Sequence, residues 1–320
     1  MKILVTGSAG FLGTHLSQKL LSQNHEVVGV DNLYSGTIDN VRKFKHDQNY
    51  EFIEHDIVKP LSLSVDAIIN MACPASPIHY QRNPVATIKA SVLGMINMLE
   101  LAKELEVPIL QCSTSEIYGD PLLSPQIESY WGNVNPIGIR SCYDEGKRVA
   151  ETLMYDYWRQ FNVQIKIARI FNTYGPGMHL EDGRVVSNFI HQAIENRPIT
   201  VYGEGLQTRS FCFVSDTIEA IVKFINTDRS IIGPINIGNP EEVSIENLAS
   251  KVISLTKSKS KIVKSSLPKD DPKQRKPDIN LAMKTLDWQP RVRLNEGLAR
   301  TIADFNSRIV SSFEKINYNG

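Results

Sequence analysis

The sequence predicts an α/β protein, a doubly wound parallel sheet with a smaller C-terminal lobe interleaved into it. Three observations carry that expectation. Apolar, β-branched runs alternate with helical patterns through the first 170 residues. Three glycines, Gly7, Gly10 and Gly13, stand between the first such run and the first helical pattern. After about residue 175 strands and loops go on alternating, with no linker to mark an independent second domain. Strands covered on both faces read as continuous apolar runs, and the helices between them supply the crossovers that parallel pairing needs. A chain of 320 residues is ample for such a core.

The first element, "KILVTG" over 2–7, leads into the turn Gly7-x-x-Gly10-x-x-Gly13 and a helix over 11–22. Glycine permits the tight turn, lets a pyrophosphate approach the backbone and lets the helix pack on the strand; the helix N-terminus at Phe11 and Leu12 offers N–H groups and positive dipole. Strand, glycine turn and helix in that order mark a dinucleotide site and a Rossmann-type sheet. Further strands are expected at 26–31, 50–56, 66–72, 107–113 and 164–171, with helices over 84–105 and 140–161. Later, 184–196 has helical spacing, "PITVYGEGLQTRSFCFV" reads as extended chain, and "GPINIGNPEEVSIENLASKVISL" as strand, loop and helix. "SSLPKDDPKQRKPD" is a polar loop, and a last helix over 294–310 precedes a polar tail at 311–320. The dinucleotide-binding unit is therefore placed at 1–172, with about 211–240 returning to it, and the substrate-binding lobe mainly at 173–310.

Composition narrows the function classes. Thirty-five basic residues balance 35 acidic ones, which argues against a nucleic-acid partner. Cys73, Cys112, Cys142 and Cys212 are widely spaced, so neither a disulfide framework nor a zinc site is indicated. The seven histidines form no metal-binding pattern, and no metal is expected. No run approaches eighteen apolar residues, and the opening strand is no leader. The expectation is a soluble, cytoplasmic protein with no membrane partner.

Asp31 ends the second strand eighteen residues after Gly13. A carboxylate there accepts both adenosine ribose hydroxyls and repels a 2′-phosphate, so the expected cofactor is NAD. Asn32 follows where an NADP enzyme would carry Arg. Asp56, with Ile57 beside it, ends the third strand and is placed against the adenine; a turn cap explains Asp56 nearly as well. Tyr143 and Lys147 lie four apart and hence on one helix face. A free phenol titrates near 10, too high for a base at neutral pH, but a neighbouring Lys⁺ and a nicotinamide cation both favour the phenolate. Thr114, Ser115 and Glu116 cluster where the fifth strand surfaces.

The glycine turn, this cluster and Tyr-x-x-x-Lys together resemble the extended short-chain dehydrogenase/reductases. Members acting on nucleotide sugars also carry "RIFNTYGPG", "YGEGLQTRSFCFVSD" and "LDWQPRVRLNEGL", all present here. "ACPASPIHYQRNPVATIKA", "STSEIYGDP", "YWGNVNPIGIRSCYDEGKRVAETLMYDY", "DGRVVSNFI" and "DDPKQRKPDI" are most similar to the UDP-glucuronate decarboxylases, or UDP-xylose synthases. Ile139, where that family usually has proline, and Cys212 are departures that remove no functional group.

The resemblance implies decarboxylation of UDP-glucuronate with Tyr143, Lys147, Thr114, Ser115, Glu116 and Arg275 as the catalytic set. Related dehydratases carry Asp where Ser115 stands. Two negative charges 4 Å apart cost roughly 4 kcal/mol at an effective dielectric of 20, so serine suits a substrate that brings its own carboxylate. Glu116, or a water it positions, is expected to protonate C5. Arg275 is matched to an arginine near the sugar carboxylate, although on the residues alone it reads as a solvated charge. Arg184 and Arg209 are candidates for the diphosphate, Asn172 and Gln207 for polar contacts, and Lys89 for a further substrate contact. The resemblance also implies a homodimer. A UDP-sugar 4-epimerase, or an oxidative decarboxylase releasing a 4-keto pentose and NADH, are the alternative reactions on this scaffold.

Overall fold

The computed structural model describes residues 1–266 and 274–318. Its main sheet contains β1 (Lys2–Thr6), β2 (Glu26–Asp31), β3 (Tyr50–Glu54), β4 (Ala67–Asn70), β5 (Ile109–Thr114), β6 (Ile165–Ile170) and, far along the chain, Ile235–Ile237. Across the sheet the order is Ile235–Ile237, β6, β5, β4, β1, β2, β3. Every neighbouring pair is parallel. The expected doubly wound sheet is what the chain forms. Strand order reverses between β1 and β4, so the crevice beyond their carboxyl ends is where this architecture admits a ligand.

Helices α1 (Phe11–Ser22), α2 (Ile38–Arg42), α3 (Pro77–Arg82), α4 (Pro84–Leu105) and α5 (Ser141–Phe161) connect or flank these strands. They are followed by α6 (Val185–Ile194), α7 (Val214–Ile225), α8 (Ile245–Thr256), α9 (Asn280–Leu286) and α10 (Leu294–Tyr318). Side chains alternate across the central strands, which fills two cores. Ile3, Val5 and Ile69 join the core that also holds Leu16 and Ile221, while Leu4, Ile68 and Ile109 join Leu99 and Met154 of α4 and α5. Helix α4 is long and apolar enough to cross a membrane by length and composition. Here its buried stripe, including Met95, Met98 and Leu99, packs into the second core instead. Asn83 caps its start by accepting from the Ala86 N–H, and Pro84 occupies the first turn, where no N–H is needed.

Two helices differ from the sequence reading. Helix α7 is absent from that reading, although Ile218, Ile221, Val222 and Ile225 recur at helical spacing on its buried face and the local signal is there. The last helix does not stop at 310 but continues to Tyr318, through most of the expected polar tail. No Pro or Gly interrupts "SSFEKINY", and nothing in its backbone chemistry ends a helix. Residues 319–320, and the 267–273 part of the expected polar loop, lie outside the described residues.

The later segments form small sheets over the carboxyl edge. Thr208–Ser210 pairs antiparallel with Glu242–Ser244 and parallel with Gln274–Arg275, placing Arg275 opposite Arg209. That register carries two arginines from distant parts of the chain to one place.

Candidate active site

A single cleft of about 1390 Å³ runs from the glycine turn, past the ends of β4 and β5, to the strands carrying Arg209 and Arg275. At its floor Gly7 has a φ of +69°, a left-handed conformation natural only to glycine, and a Cβ there would meet the Met71–Ala72 backbone near 3.0 Å. A Cβ on Gly13 would lie 2.1 Å from the Gly7 carbonyl oxygen, so the helix could not pack on this turn with any other residue. Gly10 caps α1 without a side chain, leaving the first turn, with Phe11 and Leu12, open to the cleft. A cradle of bare backbone at a helix N-terminus fits a dinucleotide's pyrophosphate.

Asp31 stands at the end of β2 and is 8% exposed. One carboxylate oxygen accepts the Ala9 N–H at 3.0 Å and the other the Leu33 N–H at 2.8 Å. Burial pushes its pKa up, and these two bonds pull it back. Each oxygen keeps a second lone pair for a ribose hydroxyl. Asp56 is used locally: it accepts the Val58 N–H at 3.1 Å and the Asn32 amide at 3.2 Å. Ile57 lines the cleft, yet its side chain packs on Gly94 and its carbonyl accepts from Asn97 at 2.8 Å.

Tyr143 and Lys147 rise from α5 into the middle of the cleft, both buried. Lys147 Nζ donates to the Cys112 carbonyl at 2.8 Å and lies 5.9 Å from the Tyr143 ring centre. Burial drives the Tyr143 phenol well above its ordinary range and Cys73 adds to this, while a hydrogen bond with Thr114 pulls the other way. Burial thus works against the phenolate that Lys147 and a nicotinamide cation are together expected to favour.

Glu116 follows Thr114 and Ser115 in a 3₁₀ turn. Arg140 donates to it at 2.5 Å and Arg275 at 3.2 Å. Burial would raise this carboxyl, but the charges of Arg275, Arg140 and Arg209 outweigh it and hold the pKa down at about 2. Glu116 is thus an anion at neutral pH, with no proton to give to C5. Arg275 is no solvated charge: it is 2% exposed and also donates to the Ser115 carbonyl and, at 3.0 Å, to that of Gly119.

The remaining candidates spread along the wall. Arg209 is buried and acts electrostatically on Glu116, as well as donating to the Thr208 carbonyl at 2.9 Å. Arg184, at the start of α6, pairs with Asp182. Gln207 donates to the Tyr202 carbonyl at 2.8 Å, and Asn172 lies beside Thr173 beyond β6. Lys89 is on the exposed face of α4 at the cleft's edge. Three residues escaped the sequence reading. Arg140 lies one helical turn before Tyr143, a spacing that could have revealed it. Tyr80 stacks on Tyr143 with ring centres 5.3 Å apart and planes at 7°, and had no local signal. Asp144 is buried beside them; its Oδ1 has no hydrogen-bond partner among the described residues, and Arg140 lies 3.9 Å from its other oxygen.

Comparisons with known proteins agree with this geometry. Residues 3–238 match the model of the NAD dependent epimerase/dehydratase family. UDP-glucuronic acid decarboxylase 6 of Arabidopsis thaliana is 54% identical over 310 residues, 97% of this chain and 90% of that protein. Among solved structures, UDP-glucose 4-epimerase of Thermotoga maritima with UDP-glucose superposes with a TM-score of 0.89 at 26% identity, covering 97% of this chain and 100% of that one. UDP-glucuronic acid 4-epimerase of Bacillus cereus, in complex with UDP-glucuronic acid and NAD, gives 0.85 at 29% identity, with 96% and 99% covered. A glycine cradle, an acidic strand end and a Tyr–Lys pair in one cleft, matched along three quarters of the chain, have one reading: the chain belongs to the NAD dependent epimerase/dehydratase family.

Proposed function

We propose that the protein decarboxylates UDP-glucuronate to UDP-xylose and CO₂, through oxidation at C4, loss of CO₂ from the 4-keto acid and re-reduction at C4. The observation that carries this reading is the meeting of Thr114, Ser115 and Tyr143 with the Glu116–Arg275 pair in one cleft. The glycine turn and Asp31 hold NAD, which when bound supplies the acceptor and then the donor of the C4 hydride. Thr114 orients the C4 hydroxyl and Tyr143 removes its proton. Electrons from the breaking C5–C6 bond then pass to the C4 carbonyl, and the Tyr143 hydroxyl donates to the resulting enolate oxygen. Ser115 offers a neutral hydrogen bond where an acid would repel the substrate's carboxylate. Glu116, as an anion, accepts from and orients the water that protonates C5.

Arg184, Arg209, Gln207, Asn172 and Lys89 form the nucleotide-sugar wall in this reading. Apolar side chains exposed on α4 (Val85, Leu93) and α5 (Val149, Phe161) support a homodimer through these helices. Four free thiols suit a reducing, cytoplasmic setting. Incubation with UDP-glucuronate and NAD⁺, followed by NMR of the nucleotide sugar and by CO₂ release, tests the reaction. UDP-xylose with CO₂ and no accumulated NADH is expected. UDP-galacturonate without CO₂ would make it an epimerase, and CO₂ with accumulating NADH an oxidative decarboxylase.

A further inference from the structure

Between the 3₁₀ turn and α5, residues 120–136 form no helix or strand, yet Gln126 within them is completely buried. Its polar groups converge on one short segment. The Gln126 N–H donates to the Lys276 carbonyl at 2.8 Å, and the Gln126 carbonyl accepts the Asp278 N–H at 2.9 Å. The side-chain Oε1 accepts the Lys276 N–H at 2.8 Å, while Nε2 donates to the Leu123 carbonyl at 2.6 Å. The Gln126 carbonyl also accepts from the Asn236 amide at 2.9 Å, tying the loop to the sheet edge. Residue 275 immediately precedes this clamped segment. On its other side Arg275 pairs with Arg209, and its carbonyl accepts from Ser210 at 3.3 Å.

We propose that Gln126 is a positioning residue for the reaction: it braces the Lys276–Asp278 backbone so that the Arg275 guanidinium stays seated on Glu116 and the Ser115 carbonyl. The main-chain bonds alone leave the half-buried Lys276 N–H without its acceptor, and the side-chain amide is the group that supplies it. Gln126 does not line the cleft and acts only through Arg275. Because the productive geometry is narrow, a displacement of Arg275 by about 1 Å can cost roughly a hundredfold in rate. It also alters the charge facing Glu116. Arg275, Arg140 and Arg209 surround that carboxylate, with Tyr143, Asp144 and Tyr80 on the side of α3 and α5. Withdrawing one of three cations raises its pKa.

A double-mutant cycle tests this with Gln126→Met, which keeps the side chain's length without its amide, Arg275→Gln and the pair combined. Gln126→Met is expected to lower kcat for CO₂ release roughly a hundredfold, to leave UDP and NAD affinity unchanged, and to move the acid limb of the kcat–pH profile to higher pH. The double variant should lose no more than Arg275→Gln alone, because both changes remove one function. Losses that multiply, or wild-type kcat and pH profile in Gln126→Met, would overturn the proposal. Should Gln126→Met not fold, Gln126→Asn enters the same cycle with the same two outcomes. The inference rests on the proposed role of Arg275. Full activity in Arg275→Gln would refute that role, whereas full activity in Gln126→Met beside an impaired Arg275→Gln refutes only the brace.

Discussion

Replacing Asp144 with Asn should stabilise the protein at alkaline pH and do nothing at acid pH. The cause is a competition between two buried carboxylates for one guanidinium. Arg140 donates to Glu116 at 2.5 Å but lies 3.9 Å from Asp144, so Asp144 bears its burial and the repulsion of Glu116 with little compensation. Burial first, and then Glu116, lift its pKa from an ordinary 3.8 to about 7. A carboxyl whose folded pKa lies above its unfolded one favours the folded state while protonated. That contribution is fully present below about pH 4 and is lost as pH rises through about 7. Each tenfold change in proton affinity is worth ~1.4 kcal/mol, so the full gap amounts to roughly 4 kcal/mol. For a chain of this size it corresponds to a melting-temperature difference of about 10 °C. Thermal unfolding of wild type and Asp144→Asn, run in parallel from pH 4 to pH 8.5, isolates the effect because every other titrating group is shared. The expected result is coincident curves at pH 4 and a gap opening towards pH 8 in favour of the Asn variant. A gap of constant size, or one closing as pH rises, would refute the assignment of a protonated, uncompensated Asp144.

Tyr143→Phe should abolish CO₂ release while NAD titration stays as in wild type; appreciable turnover would remove it as the base. Ser115→Asp is expected to weaken UDP-glucuronate binding far more than UDP binding in calorimetry, by an energy of roughly 4 kcal/mol at most, and equal weakening would sink the charge argument. Asp31→Ala should narrow the preference for NAD over NADP, so an unaltered affinity ratio would contradict the ribose assignment. Glu151 holds Arg169 through bonds of 2.7, 3.0 and 3.3 Å and accepts from Ser113 at 2.5 Å. Glu151→Gln takes the counter-charge from that buried guanidinium, which keeps only its neutral partners Tyr118 and the Glu128 carbonyl, and should cost about 3–5 kcal/mol in urea unfolding; a loss below 1 kcal/mol would mean the charge is readily solvated.

What depends on neighbouring residues could be read directly from the chain. The six strands before residue 172 and the helices at 11–22 and 84–105 are announced by periodicity and β-branching, because backbone geometry repeats every two or 3.6 residues. The glycine turn is equally local, since Gly7 needs its conformation and Gly13 its bareness whatever lies further along. Tyr143 and Lys147 share a face simply by being four apart. The continuation of α10 to Tyr318 was less legible, because no residue there stops a helix, whereas α7 carries a stripe as local as those of the other helices.

Tertiary structure decided everything that depends on who meets whom. Arg275 looks in sequence like one charge of a basic loop; pairing with Thr208–Ser210 and the grip of Gln126 bring it 3.2 Å from Glu116, 159 residues away in the chain. That encounter, with Arg140, holds Glu116 as an anion, so of its two expected roles, donating to C5 or positioning the water that does, it leaves the second. The same crowding lifts the Asp144 pKa to about 7, and burial raises that of the Tyr143 phenol. Protonation follows the field of surrounding charges and the loss of water, and both arise only when distant segments close over one cleft.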